Sequence, residues 1–205
     1  MKPNVVSLSR AMIAGVTVGC LLLVSGCGWQ AAGNLPPLRT VERVDVSRYA
    51  GVWYEIAKYP NSFERGCHGV TAEYTLRDNG TIGVRNLCRS ADGKSVTRSI
   101  DGYATIADRA SNAKLTVYFS WPFGAPYWII DLDEEYTYAV VGEPSRRFLW
   151  ILSRTPVMEP AVYDGILARL AEQGYDPSRL ELMTQFPESH SEPTGHRTAA
   201  HALAE

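Results

Sequence analysis

From Gly51 to Arg154 the chain is built of short runs in which apolar and polar residues change places at nearly every step. The runs are separated by clusters of Gly, Asn, Asp, Pro and Ser, the mark of half-buried strands joined by turns. Eight can be read, at 52–58, 69–77, 81–88, 97–107, 113–120, 126–132, 136–141 and 147–153. In 69–77, Val70, Ala72, Tyr74 and Leu76 alternate with Thr71, Glu73, Thr75 and Arg77, so one face meets water and the other does not. Leu115, Val117 and Phe119 alternate with Lys114, Thr116 and Tyr118 in the same way. Trp128, Ile130 and Leu132 are expected to share a face opposite Asp131. Asn79-Gly80 is a strong tight-hairpin signal, and 107–114, 131–136 and 142–147 are further polar turns. With no helix inserted among them, these strands predict an antiparallel meander, closed as a barrel or folded as a sandwich.

The period then changes. Between Pro156 and Gly174, Val162, Ile166, Leu167 and Leu170 recur at helical spacing, and Gly174 stops the run. That stripe predicts one helix docked outside the sheet. Residues 176–185 are read as room for a short strand, and 186–205 as a polar, Pro- and His-containing tail without a core to join.

The first residues follow a different logic. Lys2 and Arg10 precede an apolar run, Ala11 to Val24. That run is too short for a hydrocarbon core of roughly 30 Å, but it has the length of a signal-peptide core. "VSGC" at 24–27 resembles a bacterial lipobox, with small residues before Cys27. The resemblance implies cleavage after residue 26 and a diacylglyceryl, palmitate-type modification of Cys27. Acyl chains contribute about 0.8 kcal/mol per buried CH₂, so several of them make a durable anchor. Gly28 stands where aspartate would imply retention in the inner membrane, so an outer-membrane address with the domain facing the periplasm is expected. Residues 27–44 are then read as the acylated N-terminus and a tether, stiffened at Pro36-Pro37.

Three separated stretches carry a family resemblance. They are "YAGVWYEIAKYPNSFERGC" with its Gly51-x-Trp53 signature, "LDEEYTYAVVG" at 132–142, and "FLWILSRTP" at 148–156 with Arg154 after the last strand. In this order the chain resembles the lipocalins, above all the bacterial outer-membrane lipoprotein lipocalins and their apolipoprotein D-like relatives, from about Asp45 to Gln185. The resemblance implies an eight-stranded up-and-down barrel with one C-terminal helix outside it. It also implies that Gly51, Trp53 and Arg154 meet at the closed end as structural residues, the guanidinium lying over the indole face.

In such a barrel the connections near 59–68, 89–96, 121–125 and 142–146 surround the open mouth. Trp121, Phe123 and Tyr127 lie in the stretch 118–128 around the third of these, as an apolar entrance or a contact with a membrane surface. Tyr74, Val84, Asn86, Ala104, Phe119 and Trp128 are expected on the inner wall by alternation, joined by Tyr138 and Trp150. With Trp121 at the rim, this mostly apolar set favours an acyl chain over a sugar or amino acid, and the resemblance implies a fatty acid or lysophospholipid.

Composition narrows the reading further. A net charge of −2 without a basic stripe gives no footprint for nucleic acid. Cys67 and Cys88 flank the Asn79-Gly80 hairpin on adjacent strands. A disulfide between them suits an oxidising periplasm, a free reactive pair being the alternative. His68 is the one histidine outside the tail, so neither a metal site nor a Ser-His-Asp or Cys-His centre is expected, and no cofactor. The sequence points to a non-enzymatic carrier of single-chain lipid, working in storage, transport or membrane maintenance. The alternative is a filled barrel acting through protein–protein contact, and a homodimer is compatible with either.

Overall fold

The computed structural model describes residues 35–186; the signal segment, Cys27 and the tail beyond 186 lie outside the described residues. Eight antiparallel strands run in sequence order around a barrel. They are β1 Gly51–Lys58, β2 His68–Leu76, β3 Ile82–Arg89, β4 Val96–Ile106, β5 Lys114–Ser120, β6 Phe123–Leu132, β7 Tyr138–Gly142 and β8 Leu149–Ser153. β8 pairs with β1 and β1 with β2, which closes the cylinder. The up-and-down barrel expected from the sequence is therefore the fold.

Local chemistry explains the connections. At the β2–β3 turn Gly80 takes φ 77°, a left-handed conformation that glycine adopts without a Cβ clash. The Asn79 side chain accepts from the Thr81 amide at 3.0 Å, and a ladder of seven residue pairs follows. A short helix, α1 Val46–Tyr49, precedes β1 and was not anticipated. Its Asp45 cap accepts from the amides of Ser47 and Arg48, which makes four residues enough for one turn. After β8, α2 spans Pro160–Glu172, with proline in its first turn and Gly174 at φ 81° beyond its end.

Two apolar clusters divide the core between the two faces of the sheet. Inside the barrel lie Trp53, Tyr74, Val84, Ala104, Leu115, Val117, Ile129, Val141 and Leu152. On the outer face Ile56, Ala57, Tyr59, Ile130, Val140 and Ile151 pack beneath Ile166 and Leu170 of α2. Full burial of such aliphatic side chains is worth about 2 kcal/mol each, enough to hold the helix on the barrel.

Residues 35–44, expected as the end of a tether, lie against the body instead. Leu38 and Val44 are buried. The Val41 amide donates to the Ile129 carbonyl at 3.1 Å, and Arg146 Nη2 to the Pro36 carbonyl at 2.6 Å. Alternation had placed nothing here because the segment has no period; its scattered apolar residues find partners only once the barrel exists.

Bulges in β1 and β6 reset the alternation of those strands. In β1, Glu55 pairs with Leu152 but Ala57 with Ile151, so Ile56 and Ala57 both face outward while Glu55 and Lys58 both face inward. In β6 the break falls between Ile129 and Asp131. The β1–β2 ladder also stops at Tyr54 and Thr71. Beyond it the seam is filled from the C-terminus by β9, Glu181–Leu182, which pairs with Lys58 and Ala57. The Gly69 amide donates to the Thr184 carbonyl at 2.9 Å, and Gln185 Nε2 bridges the carbonyls of Glu55 and Val70 at 2.7 and 2.8 Å.

Candidate functional site

The closed end is sealed as the sequence suggests. Trp53 is fully buried, and its indole N–H donates to the Tyr49 carbonyl at 2.8 Å. The Arg154 guanidinium lies 3.8 Å from the Trp53 ring centroid. It donates to the carbonyls of Arg48, Ala50 and Val52 at 2.6, 2.9 and 2.9 Å, tying α1 and the start of β1 to the end of β8. Gly51 sits at φ 96°, and a Cβ there would stand 3.3 Å from Arg154 Nη1. Arg48 stacks on Tyr136, whose hydroxyl accepts from the Asp45 amide at 2.8 Å.

Above this floor the interior changes character. Tyr127 joins Tyr49 and Tyr74 through hydroxyl contacts of 2.7 and 2.8 Å. Burial pushes all three phenols up from their ordinary range. Ala72, Val84, Ala104 and Val117 make an apolar wall of small side chains around them. Further toward the mouth the wall is charged. Glu55 is 3% and Lys58 6% exposed. Lys58 Nζ lies 3.2 Å from Glu64 Oε2, and the Trp150 indole donates to Glu64 Oε1 at 3.1 Å. Burial, the neighbouring Glu64 charge and a hydrogen bond to Glu64 hold the Glu55 carboxyl well above the usual carboxylate range, against the pull of Lys58. Glu55 Oε1 and Asn86 Oδ1 are buried without a hydrogen-bond donor among the described residues, while Glu64 Oε2 faces the Lys58 ammonium.

Sequence reasoning missed Glu55, Lys58 and Glu64. Three residues apart on a regular strand, Glu55 and Lys58 would face opposite ways. The bulge at Ile56 and Ala57 brings them together. The available signal was a carboxylate and an ammonium inside the otherwise apolar strand "VWYEIAK".

Most of the residues expected on the wall face the barrel interior. Tyr74, Val84 and Ala104 are buried in the interior cluster, and Trp150 packs against it. Asn86 lies on the same inner face of β3, paired across to Ala72. Phe119 follows Leu115 and Val117 on β5 and is 41% exposed near the rim, and Ile100, on the inner face of β4, is 47% exposed. Trp121 and Phe123 are 78% and 79% exposed at the β5–β6 connection.

Trp128 and Tyr138 are corrections. Trp128 neighbours the inward Tyr127 and Ile129 and therefore faces out, where Lys114 Nζ sits 4.5 Å from its ring centroid. Tyr138 also packs outside, and its hydroxyl accepts from Arg169 of α2 at 3.0 Å. The strands that carry them are apolar on both faces, because α2 covers the outside, so composition could not tell in from out. Nor do Trp128, Ile130 and Leu132 share a face: the β6 bulge leaves Ile130 outside and returns Leu132 to the interior cluster.

Cys67 and Cys88 form a disulfide across the start of β2 and the end of β3, with Cα atoms 5.2 Å apart. A register shift between His68 and Thr71 accommodates it. Beside it a cleft of about 560 Å³ lies between the 59–68 connection and the C-terminal segment, reaching Lys58, Glu64, His68 and Glu181.

The chain matches the Lipocalin-like domain family over residues 44–185. It is 36% identical over 167 residues to the outer membrane lipoprotein Blc of Vibrio cholerae, covering 81% of this chain and 95% of that one. Blc of Escherichia coli K12 is 40% identical over 152 residues, covering 73% and 85%. Apolipoprotein D of Bos taurus is 35% identical over 167 residues, covering 77% and 86%. Among solved structures, insecticyanin from Manduca sexta superposes with a TM-score of 0.61 at 25% identity, covering 76% of this chain and 88% of that one. The closed barrel, the Trp53–Arg154 floor and these matches lead to one conclusion: the chain belongs to the lipocalin family.

Proposed function

We propose that this lipocalin is anchored to the outer membrane through Cys27 and binds one single-chain lipid, a fatty acid or a lysophospholipid, inside its barrel. It acts by binding rather than by catalysis, in storage, transport or membrane maintenance. The observation that carries the reading is the gradient along the interior. Small aliphatic side chains surround the deep half, a charged group with unpaired acceptors stands above them, and half-exposed Ile100 and Phe119 lie toward the mouth. That order matches an acyl chain inserted tail first with its polar end behind it. The outer-membrane location rests on the lipobox-like "VSGC" and on relatives bearing the name outer membrane lipoprotein at 36% and 40% identity.

The test uses the full chain with Cys27→Ser and brominated fatty acid, brominated lysophospholipid and a brominated sterol. Bromine quenches indole only at contact. Saturable quenching of the inward Trp150, abolished by Trp150→Phe while the outward Trp128 stays bright, is the expected result. Full burial of Trp53, Ile129 and Val141 favours the second reading, a filled barrel working through protein–protein contact. No saturable quenching by any of the three in a folded, delipidated sample would establish that reading instead.

A further inference from the structure

The two ends of the barrel are finished differently. Strand alternation puts the β1–β2, β3–β4, β5–β6 and β7–β8 connections at the end opposite Trp53 and Arg154. At that mouth β5 and β6 meet in a two-residue turn, Trp121-Pro122, with Ser120 paired to Phe123. Trp121 and Phe123 are the most exposed large apolar side chains among the described residues. A loop packed on itself would have buried them; here a paired hairpin holds both rings in water. Phe63 of the β1–β2 connection and Phe119 are exposed at the same end. A clustered apolar patch of this kind marks an interaction surface. The charges differ as well. In the mouth connections and the strand ends that carry them, Arg65, Lys94, Arg98 and Arg147 are exposed, against one exposed acid, Asp92. The exposed acids Glu134 and Glu135 lie in the β6–β7 connection at the closed end. Aromatic rings among cations suit the boundary between water and an anionic lipid surface, where rings sit at head-group level and cations meet phosphates.

The course of the chain points to the same partner. Residues 35–44 run along the barrel from one end to the other. The Pro36 carbonyl accepts from Arg146 of the β7–β8 connection, at the mouth, at 2.6 Å. The Val44 amide donates to the Ser111 carbonyl of the β4–β5 connection, at the closed end, at 2.7 Å. The chain therefore joins the domain on the mouth side. Cys27 precedes Leu35 by eight residues, a reach of about 28 Å at full extension. An acyl anchor on Cys27 keeps its membrane within that distance of the mouth.

We propose that the mouth docks on the anionic phospholipid surface of the membrane that holds the anchor. Trp121 and Phe123 enter the head-group layer, and Arg65, Lys94, Arg98 and Arg147 meet the phosphates. The barrel then opens onto lipid, and a single acyl chain passes between bilayer and cavity without crossing water. That exchange and the choice of membrane rest on the anchored-carrier reading; the docking surface stands on the exposed rings and charges alone.

The test uses the chain from residue 27 on, which contains every described residue, with Cys27→Ser so that no acyl chain assists. Sedimentation measures its partition onto vesicles of phosphatidylcholine alone and of three parts phosphatidylcholine to one of phosphatidylglycerol. The expected result is partition about tenfold or more stronger onto the anionic vesicles, weakened roughly threefold or more when salt rises from about 0.05 to 0.5 M. Trp121→Ser and Phe123→Ser should each lower it about tenfold. Val157→Ser, a like change at an exposed position beyond β8 at the closed end, should leave it within twofold. Lys94→Gln combined with Arg147→Gln should remove most of the anionic preference. Brominated phosphatidylcholine in the vesicles should quench indole emission, and Trp121→Phe should still bind while losing that quenching. Near-UV circular dichroism checks the fold of each variant. Equal partition onto the two kinds of vesicle, or partition unmoved by Trp121→Ser and Phe123→Ser, overturns the proposal. Self-association abolished by those two substitutions, without vesicle binding, assigns the face to a second copy of this chain and overturns it too. The single-chain-lipid titration needs no vesicles, so each of these failures leaves the carrier reading standing.

Discussion

Replacing Arg154 by alanine tests the closed end directly. Its guanidinium covers the Trp53 ring at 3.8 Å, an arrangement worth about 1 kcal/mol at a half-exposed site. It also donates to the carbonyls of Arg48, Ala50 and Val52. Hydrogen bonds to a charged group contribute about 1.5–3 kcal/mol each when buried, but this side chain is partly exposed and the freed carbonyls can turn to water, so about 0.7 kcal/mol each is the better figure. The total is about 3 kcal/mol, or a fall in Tm of roughly 6–12 °C for a domain of this size. Urea unfolding followed by tryptophan fluorescence measures it. Arg154→Lys should recover less than half, because a single ammonium cannot span three carbonyls and the ring together. A double-mutant cycle with Trp53→Phe should show coupling above 0.5 kcal/mol, since both side chains donate to the Tyr49 carbonyl. A loss below 1 kcal/mol, or full rescue by lysine, would refute the idea that this arginine ties strand β8 to helix α1.

Reduction of Cys67–Cys88, or Cys67→Ser with Cys88→Ser, should lower stability by about 3 kcal/mol, from the loop closed over a separation of 21 residues. A urea midpoint unchanged by reductant would count against it. Glu55 predicts a pH dependence of opposite sign to that of most carboxyls. Burial and the neighbouring Glu64 charge hold its folded-state pKa well above the ordinary glutamate value, so the folded protein holds a proton that the unfolded chain has released. Stability should therefore decline as pH climbs from about 4.5 toward the raised value, and Glu55→Gln should flatten that decline. The denaturant midpoint of the two proteins across pH 4 to 8 decides it, and parallel curves would remove Glu55 as the cause.

How far the sequence could be read depended on what lay on the other side of each strand. β2 and β5 have solvent on one face, so Tyr74 and Val117 could be assigned inward from alternation alone. β6, β7 and β8 are sandwiched between the interior and α2, and their near-continuous apolar runs carry no directional signal. Tyr138 and Trp128 were lost for that reason. Glu55 and Lys58 were hidden by a different cause, a one-residue bulge that no local composition announces.

The sequence by itself determined the number and order of the strands, the hairpin at Asn79-Gly80, the helix stripe ending at Gly174, and the closed-end set of Gly51, Trp53 and Arg154. These depend on period, turn chemistry and motif, which act over a few residues and are written locally. Only the tertiary structure decided that residues 35–44 lie on the barrel and that residues 181–185 fill the seam between β1 and β2. It alone decided that a carboxyl pair and a lysine share one buried site. Those outcomes depend on contacts between segments far apart in the chain, such as Lys58 with Trp150 and Glu181. Such contacts exist only after closure brings one edge of the sheet to the other.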